Sequence, residues 1–262
     1  VRPKHIRNVL KSKKASSAPG EDGVFYGVLK NLPSSHLFLA TLFTKLLHTA
    51  DPPDEWSSSN VTLIHKGGST DDPKCFRMIA LTSCVGKIFH QIVANRIEKF
   101  SIANNLIDPA VQKAFLKGIN GCIENNQVVH ELLADAKRKN KTIHMTCFDL
   151  QDAFGSVEHN LLFHVLELYK FPLEIRSYIA NLYSRLQGQI RSSEWSSSQF
   201  YFRKGVFQGD PLSPFMFLLA FNPILSHLKA LEDQYGYSLN GTRFISVPFA
   251  DDFNLITSNK RT

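Results

Sequence analysis

The chain is 262 residues long and 43% hydrophobic, enough apolar content to bury a core in one large domain or two small ones. Lys and Arg outnumber Asp and Glu by 30 to 23, and the resulting net +7 favours a polyanionic partner such as nucleic acid. Four scattered cysteines with no C-x-x-C pair and ten histidines with no H-E-x-x-H exclude a disulfide framework and the common zinc motifs, and the charged opening residues lack the apolar stretch of a signal peptide.

In chain order, a basic leader ending at "KSKK" gives way to "SSAPGEDGV", dense in small residues, Pro and Gly. The amphipathic "FYGVLKNLPSSHLFLATLFTKLLHTA" that follows predicts helices broken near Pro33, ended by "DPPDEW". "NVTLIHK" and "CFRMIAL" have the composition of strands and flank the polar tip "GGSTDDP", which predicts a hairpin. Ile88, Ile92, Val93 and Ile97 share one face of a helix over "VGKIFHQIVANRIEKF", and "IENNQVVHELLADAKRKN" reads as another.

At "KTIHMTCFDL" the period changes from helix to strand, and two helices follow, over "HNLLFHVLELY" and "PLEIRSYIANLYSRL". "GQIRSS" and "QFYFRKGV" predict a pair of short strands, and "PLSPFMFLLAFNPILSHLKAL" a long apolar helix opened by prolines. Its longest apolar run, Phe215 to Phe221, is too short to span a bilayer, so no membrane partner is expected. "YSLNGTRFISVPFADDFNLIT" gives strand, Asn240-Gly241 turn, strand, an Asp pair and strand. The elements predict an α+β fold with an antiparallel sheet and helices on one face.

Asp251 and Asp252 stand between two β-forming runs, where an ordinary Asp-rich turn is the simplest reading. Asp149 also ends a strand, and carboxylates from different strands converging over a cleft suit a hard cation such as Mg²⁺, whose shell substrate phosphates complete. Paired carboxylates acting on a glycoside fit the basic composition less well, and no G-x-x-x-x-G-K-[ST] loop is present.

Five blocks, "SSAPGEDGVFYGVLKNLP", "VTLIHKGG…FRMIALTSCVGKIFHQIVANRI", "FDLQDAFGSVEH", "GVFQGDPLSPFMFLLAFNPIL" and "FADD", resemble, in order and spacing, those of reverse transcriptases, above all those of non-LTR (LINE-like) retrotransposons. The resemblance covers nearly the whole chain. It implies the fingers and palm of a right-hand polymerase, with residues 1–140 as fingers with part of the palm and 141–262 as palm, truncated before a thumb. It also implies an RNA-directed DNA polymerase with an RNA template, a DNA primer, dNTPs and two Mg²⁺ ions, acting inside the cell in cytoplasm or nucleus.

By matching position, Asp149 and Asp251 look like the two metal-binding catalytic aspartates and Asp252 like their auxiliary. Phe154 resembles the steric gate against a 2′-hydroxyl; Lys66 and Arg77 resemble triphosphate contacts at the fingers hairpin; Gln208 and Gly209 resemble residues lining the nucleotide pocket and template path. His65, Met78 and Gly155 depart from the pattern, and none is a proposed ligand. Two rival readings are a non-catalytic relic or domesticated nucleic-acid-binding palm and a viral RNA-dependent RNA polymerase, the latter disfavoured by Phe154 and by "FADD".

Overall fold

In the computed structural model, which describes residues 1–258, most strands and helices lie where periodicity places them. The elements are α1 Pro3–Lys11, α2 Tyr26–Asn31, α3 Ser35–Thr49, α4 Asp54–Ser57, β1 Ser58–His65, β2 Phe76–Leu81, α5 Cys84–Ala103, α6 Gly121–Arg138 and β3 His144–Asp149. They continue with α7 His159–Leu168, α8 Leu173–Ser184, β4 Gln187–Ile190, β5 Phe200–Tyr201, α9 Ser213–Tyr235, β6 Tyr237–Leu239, β7 Thr242–Phe244, β8 Ser246–Phe249 and β9 Asp252–Thr257.

Two compact units result, and their borders fall within α5, before Phe154 and within α9. The first joins Val1–Ile97 to Phe154–Met216; the second joins Glu98–Ala153 to the chain from Phe217 onward. A functional border near residue 140 therefore lies inside the second unit, because compactness follows packing and each unit is closed by a segment distant in sequence.

In the first unit, the basic leader forms a helix. Pro3 starts α1, and Ile6, Val9 and Leu10, spaced for one face, are buried. Periodicity is hard to see there because charged residues surround only three apolar positions. The core is aromatic: Phe43, Trp56, Phe89 and Tyr178 meet at tilted and edge-on angles, with centroids 5.1–6.1 Å apart. Gly86 admits the indole, since a Cβ there would stand 2.9 Å from Trp56 Cγ.

The sheet of this unit has the order β2-β1-β4-β5. The β1–β2 hairpin is as expected, with Ile64 opposite Arg77. One pair differs from an all-antiparallel expectation: β1 and β4 run parallel, Ser58 opposite Gln187 through Val61 opposite Ile190. Parallel pairing joins strands far apart in sequence, so no local turn announces it.

In the second unit, β9 lies between β3 and β8 in a three-stranded antiparallel sheet. Val247 and Ile256 from this sheet pack with Leu132 and Ala136 of α6 and Tyr237 of β6. Asp135, fully buried on the same helix, is held by Lys139 at 2.7 Å, Arg138 at 2.9 Å and the Tyr237 hydroxyl at 3.1 Å. These partners, Lys139 foremost, hold its carboxyl down at about 2. β6 and β7 form a hairpin whose Asn240 and Gly241 both have positive φ, 49° and 87°, as a type I′ turn requires.

The 23-residue α9 is long and apolar enough by composition to cross a bilayer. Phe215, Met216, Phe217, Leu218, Leu219, Phe221 and Leu225 are buried in protein, as in a core helix.

Candidate active site

The carboxylates of the second unit are placed by strand register. Asp149, last in β3, is the cross-strand partner of Asp252, first in β9. Directly paired residues of an antiparallel ladder project on the same face, so the two carboxylates stand side by side. Phe249 pairs with Asp252 from the other side, leaving Ala250 and Asp251 as the central residues of a two-residue turn. All three aspartates of the sequence reading are thus gathered at one end of one sheet.

Ala250 has φ +55° while Asp251 does not share the positive φ, the pattern of a type II′ turn, whose first central position usually holds Gly. An L-residue there is strained and needs support from its surroundings. Gln112, 2% exposed, supplies it. Its Oε1 accepts the Ala250 N–H at 3.1 Å and the Ala114 N–H at 3.0 Å, and its Nε2 donates to the Ala250 carbonyl at 3.5 Å.

Two further residues steady the same hairpin. Asn125 Nδ2 donates to the Pro248 carbonyl at 2.8 Å, and Pro248 itself is tolerated because β8 is an edge strand. A Cβ at Gly121 would come within 3.0 Å of the Phe249 ring and 2.6 Å of Lys113 Cβ, so only Gly fits beneath the turn. Sequence reasoning passed over Gln112, Asn125 and Gly121. The available signal was faint: a Gln in "VQKAF" and an Asn in an amphipathic helix, each of which reads as surface until the partner 123 or more residues away is known.

Charge crowding marks the site. Partial desolvation, then the charges of Asp251 and Asp149, raise the Asp252 carboxyl above its ordinary value. Among the described residues, no three His, Cys, Asp or Glu side chains form a ready-made cation cage. Oxygen donors crowded together at the ends of two strands are nevertheless the donor set of a hard divalent cation that keeps part of its shell for water or phosphate. The residues fit such an ion.

On the opposite face of the sheet, Phe148 and Phe253 stack at 4.7 Å with planes 9° apart. Strand alternation separates this apolar face from the acidic one.

The remaining sequence-predicted residues belong to the first unit. Arg77 lies exposed on β2 opposite Ile64, and Lys66, exposed two residues after Ile64, continues the ladder with its N–H on the Cys75 carbonyl at 2.7 Å. Alternation therefore sends both cations to the same face of the hairpin.

Gln208 is pinned to β2 as well, its carbonyl accepting the Ala80 N–H at 2.9 Å. Gly209 has φ +113°, and a Cβ on it would meet the Ala80 carbonyl at 2.9 Å, so glycine is demanded twice over. Phe154 is half-buried, its carbonyl accepting the Val206 N–H at 2.8 Å. The segment it starts is thereby tied to "GVFQGD", with the Gly155 backbone 2.9 Å from where a Cβ on Gly205 would sit.

A second buried network also escaped sequence reasoning. Asp210 Oδ1 accepts the Leu212 N–H at 2.8 Å, its Oδ2 meets His90 Nδ1 at 2.6 Å, and His90 Nε2 meets the Tyr178 hydroxyl at 2.8 Å. His90 reads as an ordinary histidine in sequence; here it anchors the "QGD" turn to α5 and α8. Burial raises the Tyr178 hydroxyl well above its usual value, so it stays protonated and available as a donor.

Comparison with known proteins places these features in context. The reverse transcriptase (RNA-dependent DNA polymerase) family profile matches residues 64–262. The chain is 29% identical over 255 residues to a "Retrovirus-related Pol polyprotein from type-1 retrotransposable element R2" of Nasonia vitripennis, covering 97% of this chain and 24% of that protein. It is 25% identical over 258 residues to an "RNA-directed DNA polymerase from mobile element jockey" of Drosophila melanogaster, covering 97% and 27%. The chain thus spans about a quarter of the length of these relatives. Among solved structures, apo telomerase of Candida tropicalis, truncated from its C-terminal domain, superposes with a TM-score of 0.52 at 15% identity, covering 97% of this chain and 54% of that one. That likeness speaks for the polymerase fold.

Proposed function

This chain belongs to the reverse transcriptase (RNA-dependent DNA polymerase) family, and from that premise we propose that it is the fingers-and-palm part of a non-LTR retrotransposon polymerase. The reaction transfers a deoxynucleotide from a dNTP to a primer 3′-hydroxyl on an RNA template: the new phosphodiester forms as the α–β phosphoanhydride bond breaks and pyrophosphate leaves. The observation that carries this reading is the register that sets Asp149 beside Asp252, with Asp251 in the adjoining strained turn.

The family works with divalent metal ions, and we assign two Mg²⁺ to this site, with Asp149 and Asp251 as ligands and Asp252 as auxiliary. When bound, the ions supply a lowered pKa at the primer hydroxyl and offset charge on the phosphate oxygens during in-line displacement. The chain's part is to fix the ligands: the β3–β9 ladder positions Asp149, and the Gln112 clamp positions Asp251. A turn held this way spends no reorganisation at the moment of reaction.

On the first unit, Arg77 offers a bidentate fork and Lys66 a point charge to the triphosphate. Phe154 is assigned as the steric gate, its ring to exclude a ribose 2′-hydroxyl and so select deoxynucleotides. Gln208 and Gly209 line the nucleotide and template path, where a residue without a side chain lets backbone approach closely. The setting is intracellular, in cytoplasm or nucleus.

The full-length protein is expected to extend a DNA primer on an RNA template with Mg²⁺ and dNTPs, and Asp251→Ala to abolish extension. Extension that survives Asp251→Ala would remove Asp251 from the metal site. A folded wild-type protein that binds RNA yet never extends a primer would favour a non-catalytic palm instead.

A further inference from the structure

The net positive charge of this protein is gathered in one stretch of its sequence. Arg2, Lys4, Arg7, Lys11, Lys13 and Lys14 account for six of the net seven charges, and no Asp or Glu occurs before Glu21. Over the rest of the chain the two signs nearly cancel. A generally basic surface, the simplest reading of the composition, is therefore not what the sequence holds.

The fold presents this charge rather than hiding it. Lys4, Arg7 and Lys11 follow one another at helical spacings of three and four along α1, forming a stripe about 10 Å long at 1.5 Å per residue. All three are exposed, as are Arg2 and Lys14 at its two ends. Arg96, exposed on α5, adds its charge: partial burial, then Arg96, Lys4 and Arg2, hold His5 below its ordinary value.

The arginine–carboxylate pairs described in the first unit lie elsewhere, at Arg176–Glu167, Arg185 with Asp51 and Asp54, and Arg191–Glu21. Among the described residues, none of Arg2, Lys4, Arg7, Lys11, Lys14 or Arg96 is paired with a carboxylate. Like charges aligned on one helix repel, so the arrangement calls for an external polyanion.

A basic amphipathic helix could in principle lie on a lipid surface, but that requires a free apolar face. Here Ile6, Val9 and Leu10 are 0–5% exposed, packed inward where α1 meets α2 and α3. Only the charged face is free, which suits phosphodiester groups and not acyl chains.

We propose that the exposed face of α1, with Lys4, Arg7 and Lys11 as its centre, grips the sugar-phosphate backbone of the RNA that this polymerase copies. The contact is independent of base sequence and of the carboxylates. Only the choice of RNA as the polyanion rests on the proposed function; the charge and geometry stand without it.

The test measures single-stranded RNA binding by the full-length protein carrying Asp251→Asn, in EDTA and without nucleotides, as the slope of log Kobs against log salt concentration. Replacing Lys4, Arg7 and Lys11 together by Gln, which keeps helix propensity, removes three phosphate contacts and is expected to flatten the slope by about 2. Lys4→Arg with Lys11→Arg retains charge and should retain the slope. The same charge removed elsewhere, by Lys137→Gln, Lys141→Gln and Lys170→Gln, should leave it unchanged.

An unaltered slope in the first triple variant, or equal flattening in the second, overturns the assignment. Loss seen with a DNA strand but not with RNA moves the face to a DNA partner, and phosphatidylserine vesicles that displace RNA move it to a membrane. None of these readouts depends on primer extension, so a failed polymerase reading and a failed α1 assignment are told apart.

Discussion

Replacing Gln112 by Leu tests whether the acidic turn is held from below. Leucine is close to Gln in size, so little cavity is left, and the change falls on hydrogen bonds. The N–H groups of Ala250 and Ala114 both lose their acceptor at Oε1, whereas the loss of the 3.5 Å contact from Nε2 matters less. Ala250 is itself buried, so its N–H has no water to turn to. A buried donor left unsatisfied costs about 1–3 kcal/mol.

If that cost is relieved by the turn moving, the population holding Asp251 in place falls by about 5- to 150-fold, at 1.36 kcal/mol per tenfold. Amide exchange at Ala250 in the isolated protein should quicken by the same factor. Primer extension by the full-length protein should lose kcat in proportion, with little change in nucleotide KM. Gln112→Glu, which keeps the acceptor for both N–H groups, should lose less. Unchanged exchange at Ala250 and full kcat in a folded Gln112→Leu protein would refute the clamp.

Two other outcomes are expected. Phe154→Val should raise ribonucleotide incorporation by the full-length protein, and an unchanged sugar preference would take the gate away from Phe154. Asp135, with its carboxyl lowered from an ordinary 3.8 to about 2, stabilises the fold fully above about pH 4 and loses that contribution as pH falls toward 2. The gap in urea midpoint between the wild-type protein and Asp135→Asn should therefore close over that window; a gap that stays constant would show that Asp135 acts through shape rather than charge.

Local pattern and motif order were enough to reveal the family the chain belongs to. The Asp149 strand end, the Asp251-Asp252 turn, the Arg77 hairpin and the "QGD" block are each contained in a few consecutive residues, so spacing exposed them. The Asn240-Gly241 hairpin was legible for the same reason, since its backbone demands are met by two adjacent residue types.

What escaped the sequence depends on partners far along the chain. The parallel β1–β4 pair, the Gln112 clamp on Ala250 and the His90–Asp210–Tyr178 network each join segments that no local period connects. Identical residue types elsewhere would be surface polar groups; burial and register alone make these ones structural. α1 shows the converse, because its six charges are plain in the sequence, yet only the fold reveals that Ile6, Val9 and Leu10 are spent on the core and that the basic face is what remains outside. Residue chemistry is local, and the sequence carries it whole; which groups share a face, and which lose their water, are decided when distant segments pack.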